Sequence, residues 1–169
     1  MVHQEQQNLV KGIDLKYAFA VRYVNMTDLK ISNFQQDVMQ TFFEGYQGFT
    51  TKPDQMLAVQ GLSRVHQRIL FFVARQPGLS VSDLLACLKV TKQALNTPLR
   101  QLLALGLVTS DAADDDKRKR LLVLSEAGKD LEARLRAEQV KLLEHCIEQV
   151  GADAFAGWLA FNRALAAKR

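Results

Sequence analysis

From residue 32 onward apolar side chains recur every three or four positions, the period of a helix with one buried face. Phe34, Val38, Phe42, Tyr46 and Phe49 keep this spacing, and Ser32 with Gln35 three residues later supplies a capping-box start. A first long helix is therefore predicted over about 33–49, ending before Pro53. Leu62, Val65, Ile69, Phe72 and Val73 mark a second helix, with Ser63 as its cap and Gln76-Pro77-Gly78 as its stop. Ser80, followed by Asp83, caps a short third helix that turns Leu84, Leu85 and Leu88 inward. Two residues after it, Thr91 caps a fourth, with Leu95, Leu99 and Leu102 as its apolar face and Gly106 as its terminator.

The period then changes. Leu107–Ser110 and Arg120–Leu124 are β-rich runs on either side of the polar stretch Asp-Ala-Ala-Asp-Asp-Asp-Lys-Arg-Lys, which reads as a hairpin. Two helices joined by a turn as short as Lys89-Val90, followed by a hairpin, form a winged helix-turn-helix. Ser125 caps a fifth helix, where Leu131, Leu135, Leu142 and Cys146 make one stripe with Val140, Leu143, Ile147 and Val150 beside it. Gly151 breaks that helix, and Phe155, Trp158, Leu159 and Leu165 predict a last amphipathic one. These outer stripes have too little chain of their own to pack on, which implies a partner subunit across a two-fold axis.

The fold expected is thus mainly α with a small β-hairpin wing: a winged helix-turn-helix core flanked by N- and C-terminal dimerisation helices. Residues 1–31 show no clear period and form an extension of undefined role. Residues 32–61 form the first dimerisation helix and linker, 62–124 the DNA-binding core, and 125–169 the C-terminal dimerisation helices.

Pro98 complicates the fourth helix. Either the helix begins at Thr91 and is kinked at the proline, or it begins late, with Thr97 as cap and Pro98 in the first helical position. We favour the kink, because the late start leaves about two turns and puts Lys92 and Gln93 in a loop.

Charge sharpens the picture. The chain carries a formal net charge of +4, and residues 62–125 alone carry +5, with ten Lys/Arg against five acids. All of the basic excess lies in the winged segment, the footprint of a protein that meets a polyanion. On the fourth helix, Thr91, Lys92, Gln93, Asn96, Thr97 and Arg100 lie away from the leucine face. Asn and Gln match the N6/N7 edge of adenine, Lys reaches guanine or phosphate, and Arg100 lies farther along, near the backbone. Any surface helix has a polar face, but a short preceding helix and a following wing favour the DNA reading. Lys117, Arg118, Lys119 and Arg120 lead directly into a strand, unlike a basic nuclear-import signal in a flexible segment. At a hairpin tip they fit the narrow minor groove. Asp114 and Asp115 have no derivable role.

Other chemistry is not indicated. There is no Gly-rich phosphate loop, no Gly-x-Ser-x-Gly and no paired metal-ligand motif, so an enzyme is the weakest reading and no cofactor or metal is expected. Cys87 and Cys146 lack ligand or disulfide spacing and read as buried or idle thiols rather than oxidant sensors. His3, His66 and His145 are scattered, and His66 reads as a packed or surface residue more than a sensor. The longest apolar stretches, such as Tyr17–Val21, are far too short to span a membrane, and the N-terminus lacks a signal-peptide pattern, so a cytoplasmic location is expected.

The stretches LSVSDLLACLKVTKQALNTPLRQLLALGLV and DKRKRLLVLSEAG resemble the MarR family of bacterial winged-helix regulators, over about Ser32 to the C-terminus. Asp116, Lys117 and Arg118 take the charged wing positions of that family, which implies that Asp116 orients Lys117 or Arg118, and Leu124, Ser125 and Gly128 take its closing Leu-Thr-x-x-Gly. The resemblance implies a double-stranded-DNA-binding transcriptional regulator, a homodimer on a palindromic operator, and often a small-molecule or oxidant signal. Thr97 departs from the arginine that family members often carry in the reading helix. The competing expectation is a winged helix that docks an acidic protein partner without reading DNA; an apolar reading face would have favoured it.

Overall fold

The computed structural model describes residues 32–112 and 120–168. By internal contacts the chain divides after Phe43. The core and the candidate site described here lie in the unit from Glu44 onward. The segments read as the N-terminal extension and the wing tip fall outside the described residues.

Helix α1 runs Ser32–Ala58 and contains Pro53, so it continues past the predicted end at 49. Proline was expected to stop it because a ring at position 53 removes the N–H that would pair with the Phe49 carbonyl. That carbonyl has another donor near it, the Gln139 side-chain amide at 3.5 Å, itself held by Gln67 at 3.0 Å. The helix ends in a Schellman turn, with Leu62 N–H bonded to Leu57 O (3.0 Å), Gly61 N–H to Ala58 O (3.0 Å), and Gly61 at φ +66. Gln139→Leu is expected to destabilise the fold by about 1–2 kcal/mol in urea denaturation, since it leaves the Phe49 carbonyl and the Gln67 amide without their partner. An unchanged midpoint would refute that account of Pro53.

Helix α2 spans Arg64–Arg75 behind the Ser63 cap, as predicted. Strand β1, Leu79–Ser80, was not predicted, because two residues carry no period. It makes the expected hairpin into a three-stranded antiparallel sheet of order β1-β3-β2. Ser80 then caps α3, Val81–Leu88, by accepting from the Asp83 N–H at 3.1 Å. Thr91 caps α4, Lys92–Ala104, which closes in a second Schellman turn at Gly106 (φ +66). Strand β2, Val108–Ala112, pairs with β3, Arg120–Leu124, in a register that sets Val108 opposite Leu124 and Ala112 opposite Arg120. β2 begins one residue later than expected, because the Leu107 N–H is taken by the Leu102 carbonyl of that turn (3.0 Å).

Ser125 opens α5, Glu126–Val150, and Gly151 separates it from α6, Ala152–Ala166. The α5 stripe divides in two. Leu131 and Leu135 are fully buried, whereas Leu142 and Cys146 are exposed. α2 sits at the centre, packed against α3, α4, α5 and β3. Its Ile69, Leu70 and Val73 join Leu57, Leu84, Leu88, Leu95, Leu102 and Leu122 in one core. A buried side chain of this size contributes about 1.5–3 kcal/mol.

Candidate nucleic-acid interface

The leucines of α4 anchor the interface from behind. Leu95, Leu99 and Leu102 are buried, and this leaves Lys92, Gln93, Asn96, Thr97 and Arg100 exposed on the other side of the same helix. The six residues expected on the reading helix are therefore adjacent, but Thr91 has a structural duty. Its hydroxyl accepts the Ala94 N–H at 3.2 Å and starts the helix. The alternative of a late start at Pro98 is thereby overturned: Thr97 and Pro98 lie inside a helix already running from Lys92. The cap at Thr91 supplies the nucleation that the alternative assigned to Thr97.

At the turn before α4, sequence reasoning missed the left-handed conformation of Lys89 and the part played by Arg68. Lys89 closes α3 in the left-handed region at φ 52, ψ 45, with its N–H on Leu85 O. Arg68 of α2 donates to the Leu88 carbonyl at 2.7 Å, tying the turn to the core. A signal for Lys89 was available: a reversal this short usually places glycine or asparagine there. Lys89→Gly is expected to stabilise the fold by about 1 kcal/mol by relieving that backbone strain, read as a higher melting temperature. A lower one would show that the lysine side chain is needed for stability.

On the wing, Arg120 begins β3 opposite Ala112 and is exposed. Lys117, Arg118, Lys119 and Asp116 lie outside the described residues. The hairpin base is locked to α5 by Ser125. Its hydroxyl donates to Gly106 O (2.6 Å) and accepts from Gly128 N–H (3.0 Å), while its N–H bonds Leu107 O (3.2 Å). Gly128 passes so close that a Cβ built on it would lie 1.9 Å from Leu107 O. This is the physical content of the Leu-Ser-x-x-Gly signature.

His66 is buried, with Nδ1 3.0 Å from Ser63 N and Nε2 3.1 Å from Gln101 Oε1, in keeping with a packed histidine. Burial pushes its pKa below the usual 6.5, against a smaller opposing effect of the Gln101 oxygen. Among the described residues no three His, Cys, Asp or Glu side chains gather as metal ligands. No helix among them is long and apolar enough to cross a membrane.

A helix pair joined by a tight turn, an exposed polar face backed by leucines, and an antiparallel wing define a winged helix-turn-helix protein. The sequence profile of the MarR family matches residues 60–119. The chain is 40% identical over 120 residues to the HTH-type transcriptional regulator PetP of Rhodobacter capsulatus, covering 71% of this chain and 72% of that protein. Its fold matches a DNA complex of MepR from S. aureus with a TM-score of 0.65 at 17% identity, over 78% of this chain and 97% of that one. It also matches PcaV of Streptomyces coelicolor, solved in complex with its natural ligand, with a TM-score of 0.62 at 16% identity, over 83% and 97% of the two chains. The chain belongs to the MarR family and is a transcriptional regulator of that type. The family is one of regulators, not an enzyme class.

Proposed function

We propose that this regulator is a homodimer that binds a palindromic operator in duplex DNA and represses by occluding a promoter. The carrying observation is the exposed row Lys92, Gln93, Asn96, Thr97 and Arg100 on a helix whose opposite face is fixed in the core. In the dimer two such helices enter successive major grooves about 34–36 Å apart, and the wing cations Lys117 to Arg120 reach the flanking minor grooves. Asp116 orients Lys117 or Arg118 there. Apolar side chains left exposed on α1 (Phe42, Phe43), on α5 (Val140, Leu142) and on α6 (Trp158, Phe161, Leu165) support the dimer and the assignment of residues 32–61 and 125–169 to it.

A small-molecule signal that relieves repression is part of this reading. A cleft of about 450 Å³ between the end of α2, β3 and α5, lined by Pro77, Val123, Lys129 and Arg136, is within the size of small-ligand sites. A ligand wedged between these elements would change the spacing of the two readers.

The test is selection of genomic fragments by the purified protein, followed by a salt titration on the best fragment. A palindrome, with log affinity falling steeply against log salt, is the expected result. Weak binding without sequence preference would overturn the proposal and favour an acidic protein partner for the wing.

A further inference from the structure

We propose that Gln101 is a positioning residue for the reading helix: with His66 and the Gly61 carbonyl it forms a polar latch that holds α4 to the α1–α2 connection, and the latch requires His66 neutral. Its role in DNA binding rests on the function proposed above; the latch itself rests on the structure alone.

The proton positions follow one another. Ser63 N–H, 3.0 Å from His66 Nδ1, can only donate, so Nδ1 is the acceptor and the neutral ring carries its proton on Nε2. Nε2–H then donates to Gln101 at 3.1 Å, which must present Oε1 to it. The Gln101 amide nitrogen is thereby turned to the Gly61 carbonyl, which can only accept, at 3.1 Å. Gly61 belongs to the turn that ends α1, and Gln101 follows Arg100 on the reading helix. Three segments distant in sequence are thus joined through one side chain on α4.

A second proton on the ring goes to Nδ1, where it opposes the Ser63 N–H. The bond from that N–H is lost, and the ring must turn its Nδ1–H to the Ser63 hydroxyl oxygen, 3.1 Å away, which displaces Nε2 from its setting against Gln101. Among the described residues no charged group bonds the ring. On its own helix Arg64 is turned to Asp54 (2.7 Å) and Arg68 to Leu88 O. α3 contributes Asp83, bonded to Ser80 at 2.6 Å, and α5 meets α2 through the neutral pair Gln67–Gln139. On α4, Arg100 is exposed on the reading side, and on β3 Arg120 is exposed. Because burial holds the folded-state pKa below its unfolded value near 6.5, the stabilisation is complete above that pH. It is lost as pH falls from there through the folded-state pKa.

The experiment follows amide exchange of Leu102 to Leu105 in the full chain, corrected for intrinsic rates, between about pH 8 and about pH 5, the range in which histidine titrates. Protection of these amides is expected to fall about tenfold with acid, the size of one lost hydrogen bond, along the titration curve of the His66 ring in NMR. Gln101→Leu should show the low protection throughout, without the pH step. Gln101→Glu keeps an acceptor for Nε2–H, gives up the donor to the Gly61 carbonyl and adds a carboxylate that favours the charged ring, so its protection should start lower and its step should move to higher pH. A merely structural glutamine would not move the midpoint. Flat protection in the wild type, or an unshifted midpoint in Gln101→Glu, overturns the latch. On the selected DNA fragment, affinity should fall along the same curve. If exchange shows the step but affinity does not follow it, the positioning role is overturned. If no fragment binds at any pH, the proposed function fails and exchange still decides the latch.

Discussion

Gly128→Ala is expected to lower stability by roughly 3 kcal/mol or more, moving the melting temperature down by roughly 10 °C in a chain of this size. The added Cβ would lie 1.9 Å from the Leu107 carbonyl oxygen and 2.9 Å from its carbon, both backbone atoms. A flexible side chain could swing aside; this carbonyl cannot, because it accepts the Ser125 N–H at 3.2 Å. α5 must therefore pull away from the α4–β2 turn, breaking the Ser125 bonds and loosening Leu131 and Leu135, which anchor the helix in the core. Thermal unfolding with a urea titration checks this. A midpoint near the wild-type value would mean that the helix start can shift without cost, and that the close approach is not what demands glycine.

The second large effect concerns DNA. Lys117→Ala with Arg118→Ala should weaken operator binding at least about a hundredfold at moderate salt and lower the slope of log affinity against log salt. If each cation of both subunits neutralises one phosphate, four are lost, and the slope falls by about 0.9 for each. Asn96→Ala should behave differently. It removes one base contact, costing about 1–3 kcal/mol on the preferred fragment, relaxing the preference at that base and leaving the salt slope in place. Titrations of both variants at several salt concentrations separate the two behaviours. Equal slopes for wild type and the wing variant would remove the wing from the interface, and an Asn96→Ala protein with full sequence preference would remove α4 as the reader.

Much of this architecture was legible because its signals are local. The caps at Ser80, Thr91 and Ser125 are side chains that satisfy N–H groups three residues away, so sequence and structure carry the same information. The leucine faces of α3 and α4 follow from periodicity, and the exposed reading row follows from them by subtraction. Where expectation and structure part, the deciding partner is distant in sequence. Pro53 sits inside α1 with Gln139, from another helix, beside the carbonyl it vacates. β1 exists because Leu79 and Ser80 find Leu122 and Leu121 on β3, a pairing that two residues cannot announce.

Sequence alone determined the order of the helices and the hairpin, the winged helix-turn-helix, the basic middle of the chain and the row of polar residues on α4, because period, capping and charge act within a few positions. Only the tertiary structure decided what each capping or flanking residue also touches: that Gly128 lies against Leu107, that Arg68 holds the turn before α4, and that His66 and Gln101 tie α4 to the turn that ends α1. Close approaches and hydrogen bonds between segments depend on distances that the folded chain alone sets, and no spacing in the sequence encodes them.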